Sequence, residues 1–568
     1  MSSSTPPSGP RATDTVVDVL VVGSGTGMAA ALATHDAGLQ VLVVEKTAYV
    51  GGSTARSGGA FWIPGNEALR TGGSTDTAAD AHAYLAAVVG ADAPAARWET
   101  FLDHGPRAVR MLQRTTPMRF FWARGYSDYH PENPGGSALG RTCECEPFDA
   151  AVLGADRARL RPGVLEAPVP MPVTGADYKW MNLMTRVPLR ALPRIVKRVV
   201  QGIGGLAFGR RYVAGGQAIA AGMFAGLLRA GVPVWTRTRL VELLTDGDVV
   251  TGAIVEQDGR QVTVRTRRGV ILAAGGFDHD MPMRHEHQSP LLGDDFSLGA
   301  EGNTGDGIAA GRKLGGGIAL MSEAWWFPAV APVGAGAPQV LLAERSLPGS
   351  LMVDQTGTRF LDEACDYMSF GQTVLRREVD GSPVTTMWLV FDQRYRNSYV
   401  FAGTVFPAMP LPRTWFEEGI AVRADDPRTL ATAMGVPADA FAATLGRYNR
   451  LAAAGDDEDF HRGRSAYDRY YGDPTVTPNP NLRPLSGRLY AVRVVLSDLG
   501  TCGGLTVDER ARVLRKDGAA IPGLYAIGNT AANAFGRRYP GAGATIGQGL
   551  VFGDVAARDL AASAHRLS

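Results

Sequence analysis

The sequence predicts an α/β fold in which one domain is assembled from three separated stretches of chain around a large insertion. Three observations carry this reading. An apolar run, Val17-Asp-Val-Leu-Val-Val22, feeds directly into Gly23-Ser24-Gly25-Thr26-Gly27. A helix from Met28 to about Ala37 follows, and a second apolar run, Val41-Leu-Val-Val44, ends on Glu45. Two distant runs of the same kind, Gly269-Val-Ile-Leu-Ala-Ala274-Gly275-Gly276 and Gly523-Leu-Tyr-Ala-Ile-Gly528-Asn529, return to the same sheet. The predicted class is a discontinuous Rossmann-like domain carrying an inserted α+β domain.

Each part of the first unit has a physical task. Gly23 permits the tight turn, and Gly25 lets backbone N–H groups approach a pyrophosphate. Ser24, Thr26 and Gly27 complete the turn, and the helix N-terminus then presents partial positive charge to that anion. Glu45 lies 20 residues beyond Gly25, where a carboxylate can accept hydrogen bonds from a ribose. Met28 departs from the small residue usual at its position, so the closest helix–strand contact must fall to Gly27 or Ala29, or be looser.

The next motif specifies which dinucleotide. After Glu45-Lys46 comes Gly51-Gly52-Ser53-Thr54-Ala55-Arg56-Ser57-Gly58-Gly59-Ala60. A nicotinamide enzyme does not need this second glycine-rich stretch. An extended flavin dinucleotide does, along its pyrophosphate and again beside the isoalloxazine. Gly543-Ala544-Thr545-Ile546-Gly547 opens a last helix through Gln548–Leu560, whose N-terminus can stabilise the negative charge of a reduced flavin. The expected cofactor is FAD, held non-covalently, with Val241 and Asp306 added to its binding set.

At 568 residues the chain exceeds what one core usually holds. It is 45% hydrophobic and 20% charged, ordinary for a globular protein, and its net charge of +1 gives no global pull toward nucleic acid. Cys143, Cys145, Cys365 and Cys502 form no metal-binding or disulfide framework, and no metal site is expected. Residues 1–15 read as a disordered tail without a signal-peptide core, and no run suggests a membrane span, so a cytoplasmic location is expected.

The expected division is residues 16–327 and 498–568 for the FAD domain and 328–497 for the substrate domain. The FAD domain carries a further insertion over about 142–212. From Tyr178 to Val241 there are eleven Lys or Arg and no Asp or Glu. Within it Ile195, Val196, Val199, Val200 and Ile203 share an arc of about 140° on a helix that Pro193 starts and Gly204-Gly205 ends, opposite Arg194, Lys197 and Arg198. A basic amphipathic helix of this kind suits a membrane interface, reached through residues 180–212 on the inner face of the cell membrane. It equally suits a surface helix packed on the enzyme.

The residues with chemical potential are tyrosines in turns: Asp128-Tyr129-His130-Pro131, Asp366-Tyr367-Met-Ser-Phe370-Gly371 and Arg538-Tyr539-Pro540-Gly541-Ala542-Gly543. Tyr539 leads into the flavin-facing helix, so its hydroxyl and the N–H of Gly543 can converge on one carbonyl oxygen, forming an oxyanion hole. No nucleophile elbow or zinc motif occurs.

These motifs, together with Asn303-Thr-Gly-Asp-Gly307 and Ser497-Asp-Leu-Gly-Thr-Cys-Gly-Gly-Leu505, make the chain resemble the FAD-dependent 3-ketosteroid Δ1-dehydrogenases, within the fumarate-reductase-like flavoproteins. The resemblance runs from about Val17 to the C-terminus and includes the longer members with an extra insertion. It implies that Tyr367 is the general base, Tyr129 its helper, and Tyr539 with Gly543 the pair binding a steroid 3-keto oxygen. Tyr126, Trp325, Trp326, Phe327, Phe370 and Pro540 are the expected walls. The implied reaction is 1,2-dehydrogenation of a 3-ketosteroid, with electrons passing on to a quinone or carrier. Desaturation at C4–C5, and a membrane-surface flavoprotein with a different electron-transfer role, stand as alternatives.

Overall fold

The computed structural model describes residues 15–164 and 170–563. All four predicted nucleotide-domain strands lie side by side in an eight-stranded sheet. Its central order is Ala520–Ala526, Arg260–Leu272, Thr15–Val22, Val41–Val44, each parallel to the next. The strands are apolar on both faces because both are covered, one by the helices Gly27–Asp36 and Ala544–Ala562 and the other by the strands Thr238–Asp246 and Val249–Gln257, as a parallel sheet requires. Thr15 already belongs to the first strand; the rest of the expected tail lies outside the described residues.

The first helix, Gly27–Asp36, packs against the last, Ala544–Ala562. The question raised by Met28 is settled by Gly27, where an added Cβ would stand 3.0 Å from both Ala273 Cβ and Val21 Cγ1. Met28 is fully buried in the main core.

A second, six-stranded antiparallel sheet lies between the sequence pieces of the first. It comprises Gln339–Val340, Ala324–Val330, Leu489–Thr501, Met387–Asp392 and Ser350–Asp354, with Ala421–Ala424 added to Leu489–Thr501. Its first strand begins at Ala324 and its longest ends at Thr501, a few residues outside the expected 328–497 span. The helix Tyr367–Val379 rests on Ala324–Val330.

The expected 142–212 insertion divides in the structure. Thr142–Cys145 is the central strand of a small sheet between Ala60–Trp62 and Phe120–Trp122, and so forms part of the site wall. The amphipathic helix starts at Pro188 with Pro193 inside it, and runs through a π-turn at Val200–Gly204 to Ala207. Leu189, Leu192, Val196, Val200 and Ile203 face solvent, Leu189 being 91% exposed. Ile195 and Val199 are half-buried. Arg198, expected on the polar face, is buried and pairs with Asp177 at 2.6 Å.

Candidate active site

A cavity of about 1930 Å³, mouth included, runs from the glycine turn of the first strand to the face of the second sheet. At the turn, Gly23 has φ +106°, and a Cβ there would collide with the Ala273 carbonyl at 2.1 Å. Glu45 is held beside it, accepting from Ser24 Oγ at 2.6 Å, from Ser24 N–H at 3.2 Å and from Thr47 at 2.9 Å. Lys46 Nζ donates to Asp306 Oδ2 at 2.8 Å and to Thr304 at 2.6 Å. Ser53 Oγ accepts from Ala300 N and Asn303 Nδ2, both at 2.9 Å. Arg56 Nε reaches the Leu298 carbonyl at 2.6 Å. The segments 45–60 and 298–306 thus form two walls of one channel.

That channel suits an extended dinucleotide. Gly25 and Gly58 line it, and at Gly58 an added Cβ would meet nothing within 4 Å, so a ligand can lie directly against backbone. The helices starting at Gly27 and Ala544 begin at its edge, presenting N–H groups to anionic atoms. Gly52, Thr54, Ser57, Gly59, Ala60, Ala274, Gly275, Gly528, Asn529, Thr545 and Ile546 also line it. Gly27, Met28, Gly276 and Ala544 lie just behind the lining. Val241 does too, since strand alternation turns Leu240 toward the cavity and Val241 away.

The far end is built from tyrosines. Gly543 has φ +89°, and a Cβ there would meet the Ala60 carbonyl at 2.1 Å, so only glycine fits. Its N–H donates to Tyr539 Oη at 3.4 Å. The Tyr129 ring stands edge-on to Tyr539, with centroids 4.9 Å apart, and to Tyr367 at 5.8 Å. Tyr129 is positioned through backbone, its N–H bonding the Pro540 carbonyl, which Tyr84 Oη also engages. Asp128 anchors the same turn, accepting from Trp62 Nε1 at 2.8 Å and pairing with Arg141.

Tyr367 is the first residue of its helix, whose N-cap, Asp366, accepts from Ser369 N–H at 3.0 Å. Its hydroxyl has no hydrogen bond of ordinary geometry and faces that of Tyr126, to which Tyr471 donates at 3.1 Å. Burial pushes the hydroxyls of Tyr129, Tyr367 and Tyr539 above the usual phenol range.

Trp325, Trp326 and Phe327 line the cavity with Tyr126, whereas Pro540 and Phe370 do not. Phe370 is buried in the second sheet's own core. Sequence reasoning missed Tyr471, Glu144, Arg161 and Asn303 as lining residues. The close run Tyr467, Tyr470, Tyr471 offered a signal for the first. Glu144 and Arg161 reach the cavity only through tertiary placement. Burial pushes the Glu144 carboxyl up to about 7.

Fold and cavity together define a flavoprotein with an FAD channel opening onto a tyrosine-walled chamber. A family model, the FAD binding domain, matches residues 18–546. The chain is 44% identical over 559 residues to a 3-oxosteroid 1-dehydrogenase of Mycolicibacterium smegmatis, covering 96% of this chain and 97% of that one. It is 43% identical to a 3-oxosteroid 1-dehydrogenase of Mycobacterium tuberculosis, covering 97% and 99%. Its fold matches the crystal structure of 3-ketosteroid Δ1-dehydrogenase from Sterolibacterium denitrificans in complex with 1,4-androstadiene-3,17-dione. That match has a TM-score of 0.89 and 35% identity, covering 96% of this chain and 99% of that one. The chain belongs to the family of FAD-dependent 3-oxosteroid 1-dehydrogenases.

Proposed function

We propose that this enzyme introduces a C1–C2 double bond into 3-ketosteroids. The observation that carries the reading is the adjacency of the Gly543 N–H and Tyr539 Oη, with Tyr129 between them and Tyr367. The Gly543 N–H donates to the Tyr539 hydroxyl oxygen; a substrate carbonyl oxygen would accept from both the N–H and the O–H. Loss of the C2 proton develops enolate charge on that oxygen, and each such donor is typically worth ~3 kcal/mol at the transition state. Tyr539 remains protonated at neutral pH because burial disfavours its anion.

Tyr367 takes the C2 proton. The hydroxyl facing it, that of Tyr126, adds a second polar partner beside Tyr129. Bound FAD supplies the two-electron acceptor for the hydride leaving C1. Gly23 to Gly27, Glu45, Lys46, Gly52 to Ala60, Asp306 and Gly528 to Asn529 would hold it. Trp325, Trp326 and Phe327 supply apolar walls that suit a tetracyclic skeleton and exclude water. Anaerobic mixing with a 3-ketosteroid, followed by product analysis, tests the reading: flavin bleaching with a C1–C2 alkene is expected.

The exposed stripe of Leu189, Leu192, Val196, Val200 and Ile203, flanked by Arg190, Arg194 and Lys197, supports docking on an anionic membrane surface. Among the described residues no helix is long and apolar enough to cross a membrane. Such docking would bring the cavity near a quinone or carrier that takes the electrons, and near a water-insoluble substrate.

A further inference from the structure

A tyrosine whose hydroxyl is buried is a poor base unless positive charge lies near it. Arg345 sits on the short turn Glu344–Ser346, is 1% exposed, and places its guanidinium carbon 5.2 Å from the centroid of the Tyr367 ring. Its Nη1 donates to the carbonyls of Glu363 at 2.5 Å and Cys365 at 2.6 Å, the strand of chain that leads into Tyr367. Among the described residues no carboxylate lies within 4.0 Å of it. Two buried arginines nearby differ: Arg359 pairs with Glu363 and Asp457, and Arg462 pairs with Glu363. Arg345 is therefore held by backbone carbonyls and not by a directly paired carboxylate.

We propose that Arg345 is a positioning residue for the proton-transfer step, its fixed cation favouring the tyrosinate form of Tyr367 while its two carbonyl contacts set where that ring stands. This inference rests on Tyr367 being the proton acceptor. Tyr126 and Tyr467 share its buried pocket, where repulsion between phenolates raises the Tyr367 pKa, and Tyr129 stands edge-on to its ring. Asp366 accepts from Ser369 N–H as N-cap, and His130 Nε2 lies 4.0 Å from its carboxylate. Burial pushes the Cys365 thiol and the Asp362 carboxyl up. The net effect of burial on Tyr367 is upward, and Arg345 is the group that opposes it.

The test measures anaerobic flavin reduction by androst-4-ene-3,17-dione across pH in wild type, Arg345→Gln, Arg345→Lys and Tyr367→Phe, with steroid affinity measured separately. Arg345→Gln should lower the reduction rate about tenfold or more at neutral pH. The deficit should close as pH rises, because losing the cation raises the Tyr367 pKa and delays its ionisation. Arg345→Lys, which keeps the charge, should follow the wild-type pH profile. In the Tyr367→Phe background Arg345→Gln should cost little more. A deficit equal at every pH, or one fully additive with Tyr367→Phe, would overturn the proposal. If Arg345→Gln does not fold, a displaced pH profile in Arg345→Lys overturns it instead. Undiminished reduction by Tyr367→Phe alone would refute the assignment of the base rather than the role of Arg345.

Discussion

The backbone N–H of Gly543 points at the hydroxyl oxygen of Tyr539 across 3.4 Å, at the start of the helix that closes the FAD channel. One donor comes from backbone and the other from a side chain four residues earlier. Both are fixed by a turn that only glycine can make. Replacing Tyr539 by Phe keeps the ring that packs on Trp325 and Tyr129 but removes the hydroxyl. FAD content should be unchanged, and anaerobic reduction by a 3-ketosteroid should slow about a hundredfold or more.

The pH behaviour of binding follows from the same residue. Burial raises the Tyr539 pKa above the ordinary phenol value, so the hydroxyl keeps its proton further into alkali than a free tyrosine does. Affinity of the oxidised enzyme for a 3-keto ligand should stay flat from about pH 6 to 9. A ligand dissociation constant measured by flavin absorbance titration checks this, and weakening above neutral pH would contradict it.

Asp128 holds the Tyr129 turn from beneath, fully buried between Trp62 Nε1, Ser137 N–H and Arg141. Asp128→Ala leaves Arg141 with Asp76 and the Gly135 carbonyl and strands the indole N–H. A loss of about 3 kcal/mol is expected, visible as a lower thermal midpoint. Asp128→Asn, which keeps an acceptor for Trp62, should recover part of it.

The nucleotide half of the protein was legible in the sequence because its chemistry is local. A strand, a glycine turn and a helix follow one another, so Gly23 to Glu45 and Gly51 to Ala60 could be read directly. Gly543 and Tyr539 were legible for the same reason. The chamber was less so. Glu144 reaches the cavity because Thr142–Cys145 pairs with Ala60–Trp62 across a long separation in sequence, and Arg161 through an equally distant contact with Thr47. Phe370 packs in the second sheet's core and not in the chamber, because helix periodicity does not say which neighbour a face meets. The amphipathic helix is legible, but its outward face lies on Leu189, Leu192, Val196, Val200 and Ile203, with Ile195 and Val199 half-buried. Arg198 turns inward to Asp177, an acid that precedes the acid-free stretch.

That corrected face sharpens the membrane experiment. Leu189, Val196 and Val200 are exposed, so replacing all three by Asp should leave folding and turnover of a dispersed steroid unchanged. The same change should release the protein from vesicles rich in anionic lipid, read by co-sedimentation. Retention of the triple variant, or no vesicle binding by wild type, would contradict the docking.

The most direct test of the central claim is product analysis after a single anaerobic turnover with a saturated 3-ketosteroid (5α-androstane-3,17-dione), which offers both positions for desaturation. The arrangement of Tyr367, Tyr539 and Gly543 predicts one equivalent of a product unsaturated at C1–C2, formed as the flavin bleaches and lost in Tyr367→Phe. A product unsaturated at C4–C5, or bleaching undiminished in Tyr367→Phe, would contradict the account.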